Sequence, residues 1–361
     1  MSKSIHLPGL NGLRALAALS VLWGHTFQGI FGDWQLNGGG WNLPVVYDGV
    51  TLFFVISGFL ITYLLLNEQE RSRKISVGKF YMRRILRIWP IYFLYLVLAL
   101  TITDSWREEG LWYYLAFVAN IPFIMSVGIL PIAHYWSISV EEQYYLFWPW
   151  LVKLTKGNWR RLMYITLGVC GLWLICKYGL YLTQGTTLVY RFFAATRFDC
   201  MMLGAVGAIL FYRRQPLFMK VLGNRWVGLL CLLTVGVSVL WAEFVPAPLR
   251  PQVIAVLSLG AIMGQVAGNP VINLENRVMD SIGKVSYGIY VIHPLMIFLL
   301  AHAWRSWNPD LPANWSTLLI YMGMTIAVYV VAWISYNYLE RPFLKLKNTF
   351  TVVQSSSSMK E

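Results

Sequence analysis

An arginine and a histidine lie in one apolar segment near the start of the sequence. Arg14 and His25 are eleven residues apart in the run GLRALAALSVLWGHTF. At about 100° per residue of an α-helix, this separation returns to nearly the same face after three turns, so both side chains should project from one side. With a rise of about 1.5 Å per residue they lie about 16 Å apart along the axis. Charged groups at membrane depth are usually functional, so we favour a functional role for this pair. The alternative is an arginine that reaches the membrane interface and a histidine that is hydrogen-bonded to a nearby carbonyl.

A second set of cations follows in the run FYMRRILRIWP. Arg84 and Arg87 are three residues apart, which makes them neighbours on one helix face, and Arg83 precedes them. The planar fork of arginine matches phosphate oxygens, so these residues and Arg14 together suggest a phosphate-bearing ligand. The alternative is a basic flank of a membrane helix, which would not require a further arginine in a separate span.

Two adjacent carboxylates occur in the run HYWSISVEEQYY. Glu141 and Glu142 point about 100° apart on a helix, so at most one should face a given site. A carboxylate beside an imidazole holds its tautomer and raises its basicity, as in acyl-transfer sites. The alternative is an acidic first helical turn that complements the helix dipole, with Ser139 as its cap.

The composition requires a bilayer around the elements that carry these residues. Of 361 residues, 57% are hydrophobic, 16% aromatic and 12% charged, with a mean hydropathy of +0.56. Soluble chains carry about 25% charged residues. A soluble enzyme, a disordered protein and, with four Cys, a disulfide scaffold are excluded. The net charge of +13 is typical of a membrane protein with basic cytoplasmic loops and does not require nucleic-acid binding. The sequence contains neither a CxxC nor an HExxH motif, so it gives no indication of a metal site.

Apolar segments of spanning length predict an all-α polytopic bundle of about ten transmembrane helices. They lie near 9–31, 45–66, 88–104, 141–155, 162–183, 197–212, 226–243, 251–267, 284–304 and 315–338. Residues 111–132, between spans three and four, contain Pro122 and Pro131 and predict a re-entrant or interfacial helical hairpin. This layout puts 23 of the 29 Lys and Arg residues on one side, so both termini are expected in the cytoplasm. We expect one membrane domain over 1–350 and a disordered cytoplasmic tail over 351–361.

Seven stretches resemble the acyltransferase-3 family of integral-membrane acyltransferases, in that family's order. They are Arg14 followed by His25, SGFLI from Ser57, RxxR from Arg84, WSISVEEQYYLFWP from Trp136, TRFDCMMLG from Thr196, SYGIYVIHP from Ser286 and YLERPF from Tyr338. Each stretch is weak alone, whereas seven in order over essentially the whole chain are specific. The resemblance implies transfer of acetyl or related acyl groups onto sugar hydroxyls of surface or exported carbohydrates.

The resemblance also implies roles for individual residues. Acyl-CoA, most simply acetyl-CoA, is the expected co-substrate, with its phosphates on Arg14, Arg84 and Arg87 and no bound cofactor. His25 is the expected general base, and the family's acid falls at Glu141, which would orient His25. Ser57 and Gly58 either bind the donor or let two helices pack closely, and Ser57 lacks the GxSxG context of a nucleophile.

The remaining polar residues are candidates for the acceptor side or for structure. They are Trp136, Ser139, Glu142, Arg197, Asp199 and His293. Arg197 and Asp199 could pair near the outer end of the sixth span, as a structural or an acceptor-facing pair, and His293 is expected at a proline kink before Pro294.

The expected location is the plasma (inner) membrane. Some family members carry an extra span and an extracytoplasmic SGNH-type domain, neither of which is found in this sequence, so we expect a stand-alone enzyme. A homo-oligomer or a separate extracytoplasmic partner remains open. A transporter of an acyl carrier or lipid-linked sugar is the alternative function, although the inverted repeats typical of transporters are not evident.

Overall fold

The computed structural model describes residues 5–31, 44–307 and 313–351, and the elements in these ranges are helices. The first eight are α1 (Leu10–Phe31), α2 (Pro44–Ser72), α3 (Val77–Ile102), α4 (Leu111–Leu115), α5 (Asn120–Met125), α6 (Tyr135–Leu154), α7 (Trp159–Gln184) and α8 (Leu188–Thr196). The others are α9 (Phe198–Tyr212), α10 (Pro216–Val221), α11 (Arg225–Gly236), α12 (Arg250–Val266), α13 (Arg277–Lys284), α14 (Ser286–Trp307), α15 (Ala313–Ser335) and α16 (Arg341–Lys347). Two 3₁₀ segments (Ser238–Phe244 and Asn348–Phe350) and a π-helical segment (Tyr336–Glu340) connect or extend them. The predicted all-α fold is confirmed.

Six stretches among the described residues are long and apolar enough to cross a bilayer. Four of them are the single helices α2, α3, α7 and α14. The fifth combines α8 and α9, and the sixth runs from α15 through the π-helical segment and α16 to Phe350. A seventh arises if α11 and the 3₁₀ segment after it, which bend by 78°, form one broken span. The ten predicted segments all coincide with helices, but α1, α6 and α12 are not among these stretches. For two of them the reason is clear, since α12 has only 17 residues and α6 carries two glutamates and a lysine. The fold is therefore a polytopic bundle with six to seven candidate spans.

Helix α2 forms the centre of the bundle. It packs against α1, α6, α9 and α12, and 72% of its apolar window is buried, compared with 11% for the peripheral α7. The closest approach is to α9, where a Cβ atom on Gly58 would clash with the Met201 carbonyl oxygen. A Cβ atom on Gly204 would likewise clash with the Val55 carbonyl oxygen. These two glycines let the backbones of α2 and α9 touch, as small residues do in membrane bundles.

Helices α4 and α5 occupy the predicted hairpin between α3 and α6. Tyr114 is buried, its hydroxyl accepts a hydrogen bond from the Ile129 amide at 2.8 Å, and its carbonyl accepts one from Tyr92 at 2.7 Å. The Ser139 hydroxyl of α6 accepts the Ala119 amide at 3.1 Å. Burial raises the pKa of Tyr114 to about 12, so its phenol stays protonated while it anchors the hairpin.

Helix α3 starts earlier than predicted. The third span was predicted over 88–104, but α3 starts at Val77, so Arg83, Arg84 and Arg87 lie within its first three turns. The three guanidiniums therefore belong to the same helix as the span, and the helical register fixes them relative to one another. Most of the predicted tail, 352–361, lies outside the described residues.

Candidate active site

A cavity of 170 Å³ opens among α1, α2, α3, α6, α14 and the C-terminal segment. We call it the arginine cavity. Six of the residues singled out in the sequence line it, namely Arg14, Ser57, Arg83, Arg84, Arg87 and Glu141. Its other polar lining residues are Glu68, Ser137, Tyr145, Ser286, Tyr287, Tyr290, Lys347 and Thr351.

The cations of the arginine cavity are held in different ways. Arg83 is paired with Glu68 at 3.0 Å and also donates to the Phe350 carbonyl at 3.0 Å. Arg14 donates to Asn11 at 3.1 Å, and the guanidinium of Arg84 lies 5.6 Å from the centre of the Tyr145 ring. Within the described ranges, neither Arg14 nor Arg84 nor Arg87 forms an ion pair with a carboxylate. The cavity therefore presents three guanidiniums that are not ion-paired within these ranges and whose charge the nearby Glu141 carboxylate offsets only in part, an arrangement that suits an anionic ligand.

Glu141 is joined to two hydroxyl groups inside the arginine cavity. Its Oε1 accepts from the Ser57 hydroxyl and, at 2.5 Å, from the Tyr145 hydroxyl, and these two hydroxyls are 2.7 Å apart. Its neighbour Glu142 faces α3 instead and accepts from the Trp89 indole N–H at 3.4 Å. Only one of the adjacent carboxylates faces the cavity, as their angular separation on a helix requires.

Among the described contacts, His25 is hydrogen-bonded to a second histidine, His293, and not to Glu141. His25 Nδ1 lies 2.8 Å from His293 Nε2, and His293 Nδ1 lies 3.1 Å from the Ile289 carbonyl oxygen. His25 is 2% and His293 0% exposed, and neither lines the arginine cavity. We call these two residues the histidine pair. The sequence prediction placed Glu141 beside His25, but α6 directs this carboxylate toward Ser57 of α2. The imidazole beside His25 comes from His293 of α14 instead.

Tyr290 and Ser137 lie between the arginine cavity and the histidine pair. Both line the cavity, and their hydroxyls form a short hydrogen bond with each other. The Tyr290 ring lies 5.7 Å from the ring of His293 and 5.6 Å from that of His134. His134 contacts the Val291 carbonyl at 3.1 Å, and burial, followed by the field of His293, lowers the pKa of its imidazole well below the ordinary value.

The pair that Arg197 and Asp199 could have formed is not present in the structure. Arg197 adopts a left-handed φ of 44° between α8 and α9 and donates to the Thr51 hydroxyl at 2.7 Å. Its guanidinium also lies 5.9 Å from the Trp136 ring. Asp199 instead accepts from the Gln252 amide. The break between the two helices points the neighbouring side chains at different elements.

Several candidates lie away from the arginine cavity and have structural contacts. Gly58 faces α9 rather than the cavity, and Trp136 stacks on Phe123 with ring centres 4.7 Å apart. Ser139 lies inside α6, whose first residue is Tyr135, so it does not cap that helix and bonds to the hairpin instead.

Sequence reasoning missed Tyr145, Tyr290 and Ser137. Tyr145 follows Glu141 by four residues, a spacing that puts two side chains on one helix face and was available as a signal. The contacts of Tyr290 depend on the packing of α14 against α6, for which the sequence contains no signal.

Comparison with known proteins identifies relatives over almost the whole chain. The family model described as an acyltransferase domain matches residues 7–337. The O-acetyltransferase OatA of Staphylococcus aureus is 27% identical over 94% of this chain and 57% of its own length. The peptidoglycan O-acetyltransferase OatA of Listeria monocytogenes is 26% identical over 94% of this chain and 56% of its own length. The chain thus spans little more than half the length of these relatives, and no solved structure matches.

Proposed function

The chain belongs to the acyltransferase-3 family, and from this premise we propose that it moves an acyl group from acyl-CoA to a hydroxyl of a cell-surface or exported carbohydrate. Acetyl is the proposed group, because the relatives are named O-acetyltransferases. One of them is named for peptidoglycan, so glycan strands of that kind are the first acceptor to test. The basic loops support a plasma membrane protein with both termini in the cytoplasm.

The observation that carries this proposal is the set of three guanidiniums in the arginine cavity that form no ion pair with a carboxylate of the described residues. Coenzyme A carries several phosphate charges, and holding three half-buried cations in one cavity of an apolar bundle is costly without an anionic ligand. Arg14, Arg84 and Arg87 would bind those phosphates through paired N–H groups. Under the proposed orientation this cavity faces the cytoplasm, where acyl-CoA is made.

Glu141 acts at the donor end in this proposal. Its hydrogen bonds to Ser57 and Tyr145 fix two hydroxyl groups that line the cavity. These hydroxyls would contact the pantetheine arm or the thioester. The carboxylate also offsets part of the arginine charge, so CoA can leave after transfer.

His25 is the proposed general base. It removes the proton from the acceptor hydroxyl, whose oxygen attacks the thioester carbonyl to form the new ester. The carbon–sulfur bond breaks, and the CoA thiolate takes the proton from the imidazolium to leave as free thiol. His25 returns to its neutral state, and no other reactant is required. Tyr290 lines the cavity and its ring lies beside that of His293, so in this proposal the thioester passes Tyr290 on its way to His25.

Radiolabelled acetyl-CoA tests the proposal. Membranes containing the protein are incubated with the labelled donor and with peptidoglycan fragments, lipopolysaccharide or exopolysaccharide, and label on the carbohydrate is counted. We expect ester-linked label that mild alkali releases, and no label above background with the His25→Ala variant. Absence of label on every carbohydrate, with CoA bound normally, would contradict acyl transfer and would favour a transporter.

A further inference from the structure

We propose that His293 is a positioning residue that holds His25 in the tautomer whose Nε2 carries the lone pair. The inference rests on the proposed role of His25 as base and adds a residue to that machinery. It assigns to a neutral imidazole the task that a carboxylate performs in many acid–base sites.

The direction of the hydrogen bonds gives the tautomer. The Ile289 carbonyl oxygen can only accept, so the His293 Nδ1 that lies 3.1 Å away carries the proton. The Nε2 atom of neutral His293 then has a lone pair. Because this Nε2 is 2.8 Å from His25 Nδ1, His25 must donate from Nδ1. In neutral His25 the basic nitrogen is therefore Nε2.

The rings are held in this arrangement by their surroundings. They are nearly coplanar, with an angle of 15° between ring planes and 5.0 Å between centres. The His134 ring packs against His293 at 5.4 Å, and its own Nε2 contacts the Val291 carbonyl of α14. Two imidazolium ions 2.8 Å apart would repel strongly in this buried position, so at most one ring carries a charge.

This arrangement has a consequence for the transfer step. When Nε2 of His25 takes the acceptor proton, Nδ1–H still points at the His293 lone pair, and the hydrogen bond becomes charge-assisted. If His293 could not accept, His25 would be free to place its proton on Nε2, and that tautomer is not a base at the reacting position. His293 thus affects the chemical step and not the binding of the donor, because it does not line the arginine cavity.

The kinetic test uses two substitutions at one position. His293→Leu keeps much of the volume but removes the acceptor, whereas the side-chain oxygen of His293→Gln can still accept from His25. We expect kcat to fall about 100-fold in His293→Leu, and less than about tenfold in His293→Gln, with KM for acetyl-CoA unchanged in both. Parental kcat in folded His293→Leu, or an equal loss in both variants, would overturn the inference.

A spectroscopic test needs no substrate. The chain has five histidines, so ¹⁵N-histidine signals of the protein in lipid vesicles can be assigned by single substitutions. We expect the parental His25 to be protonated at Nδ1 and unprotonated at Nε2, and this state to be lost in His293→Leu. His134→Leu is the matched control, because it removes another buried imidazole beside His293 and should leave the His25 tautomer unchanged.

The two tests separate this inference from the proposed function. A parental His25 protonated at Nε2 would refute the role of His293 even if acyl transfer is observed. The predicted tautomer in a protein that labels no carbohydrate would leave the assignment of His293 in place and contradict the proposed function instead.

Discussion

Helix α1 contributes Arg14 to the arginine cavity and His25 to the histidine pair, yet the side chains around these two residues differ in charge. Around Arg14 lie guanidiniums, two carboxylates and several hydroxyls, most of them from α2, α3, α6 and α14. Around His25, eleven residues further along, lie buried rings, among them that of His293 from α14. The first region has the charge to bind an ionic ligand. The second consists of buried imidazoles, one of which is the proposed base. In the proposed mechanism, binding and chemistry are therefore assigned to different residues.

The largest effect should come from the histidine pair. His25→Ala removes the proposed base, so we expect kcat to fall by about 10³-fold, within the range of about 10²–10⁴ typical of general bases. Binding of CoA, measured by calorimetry on purified protein, should stay within about twofold of the parent. A variant that turns over normally, or that loses CoA binding, would break the proposed division between the two regions.

Substitutions of the arginines in the arginine cavity should change KM for acetyl-CoA rather than kcat. Arg14→Ala, Arg84→Ala and Arg87→Ala each remove one charged hydrogen-bond donor, worth about 1.5–3 kcal/mol. We expect KM for acetyl-CoA to rise about 10–100-fold in each variant while kcat changes little. Arg84→Lys is the control, since it keeps the charge but loses the planar fork and should be intermediate. A fall in kcat with unchanged KM would contradict the assignment.

Gly58 tests where the arginine cavity ends. Because a Cβ atom there would clash with the α9 backbone, Gly58→Ala should lower the free energy of unfolding by about 1–3 kcal/mol. Thermal unfolding in detergent measures this loss. Ser57→Ala, one residue away but inside the cavity, is the matched control and should affect the donor KM more than stability. A normal melting temperature for Gly58→Ala would show that α2 and α9 can separate without cost.

The smallest effect is expected at the boundary between the regions. Tyr290→Phe keeps the ring that lies between the cavity and the histidine pair but loses the hydrogen bond to Ser137. A neutral hydrogen bond contributes about 0.5–1.5 kcal/mol, so kcat should change by less than about tenfold. Steady-state kinetics with acetyl-CoA check this value. A loss as large as that of His25→Ala would place the Tyr290 hydroxyl in the chemistry itself.

The sequence predicted what depends on local periodicity. Apolar length placed ten helical segments, and helix geometry separated Glu141 from Glu142, since adjacent residues cannot face the same site. It also put Arg14 and His25 on a single face, and in the structure both are near α14 residues.

Contacts between distant segments could not be predicted in this way. The partner of His25 is 268 residues away, and nothing in the local pattern around Pro294 distinguishes a kink histidine from one that contacts α1. Arg197 and Asp199 are close enough in sequence to pair, but the left-handed backbone of Arg197 between α8 and α9 points the two side chains at different elements. The backbone conformation at this junction depends on tertiary packing, which short-range spacing does not contain.

The arginine cavity is lined by residues from near both ends of the described sequence. Arg14 comes from the first helix, whereas Lys347 and Thr351 follow the last long one, and Arg83 is bonded to the Phe350 carbonyl between them. During translation, this wall is therefore completed only after α16 has left the ribosome. A nascent chain stalled before that point can insert its earlier helices but has no finished pocket. A reporter protein fused directly after Thr351 would sit at the rim of that pocket, so reporters for studying biogenesis need a long spacer.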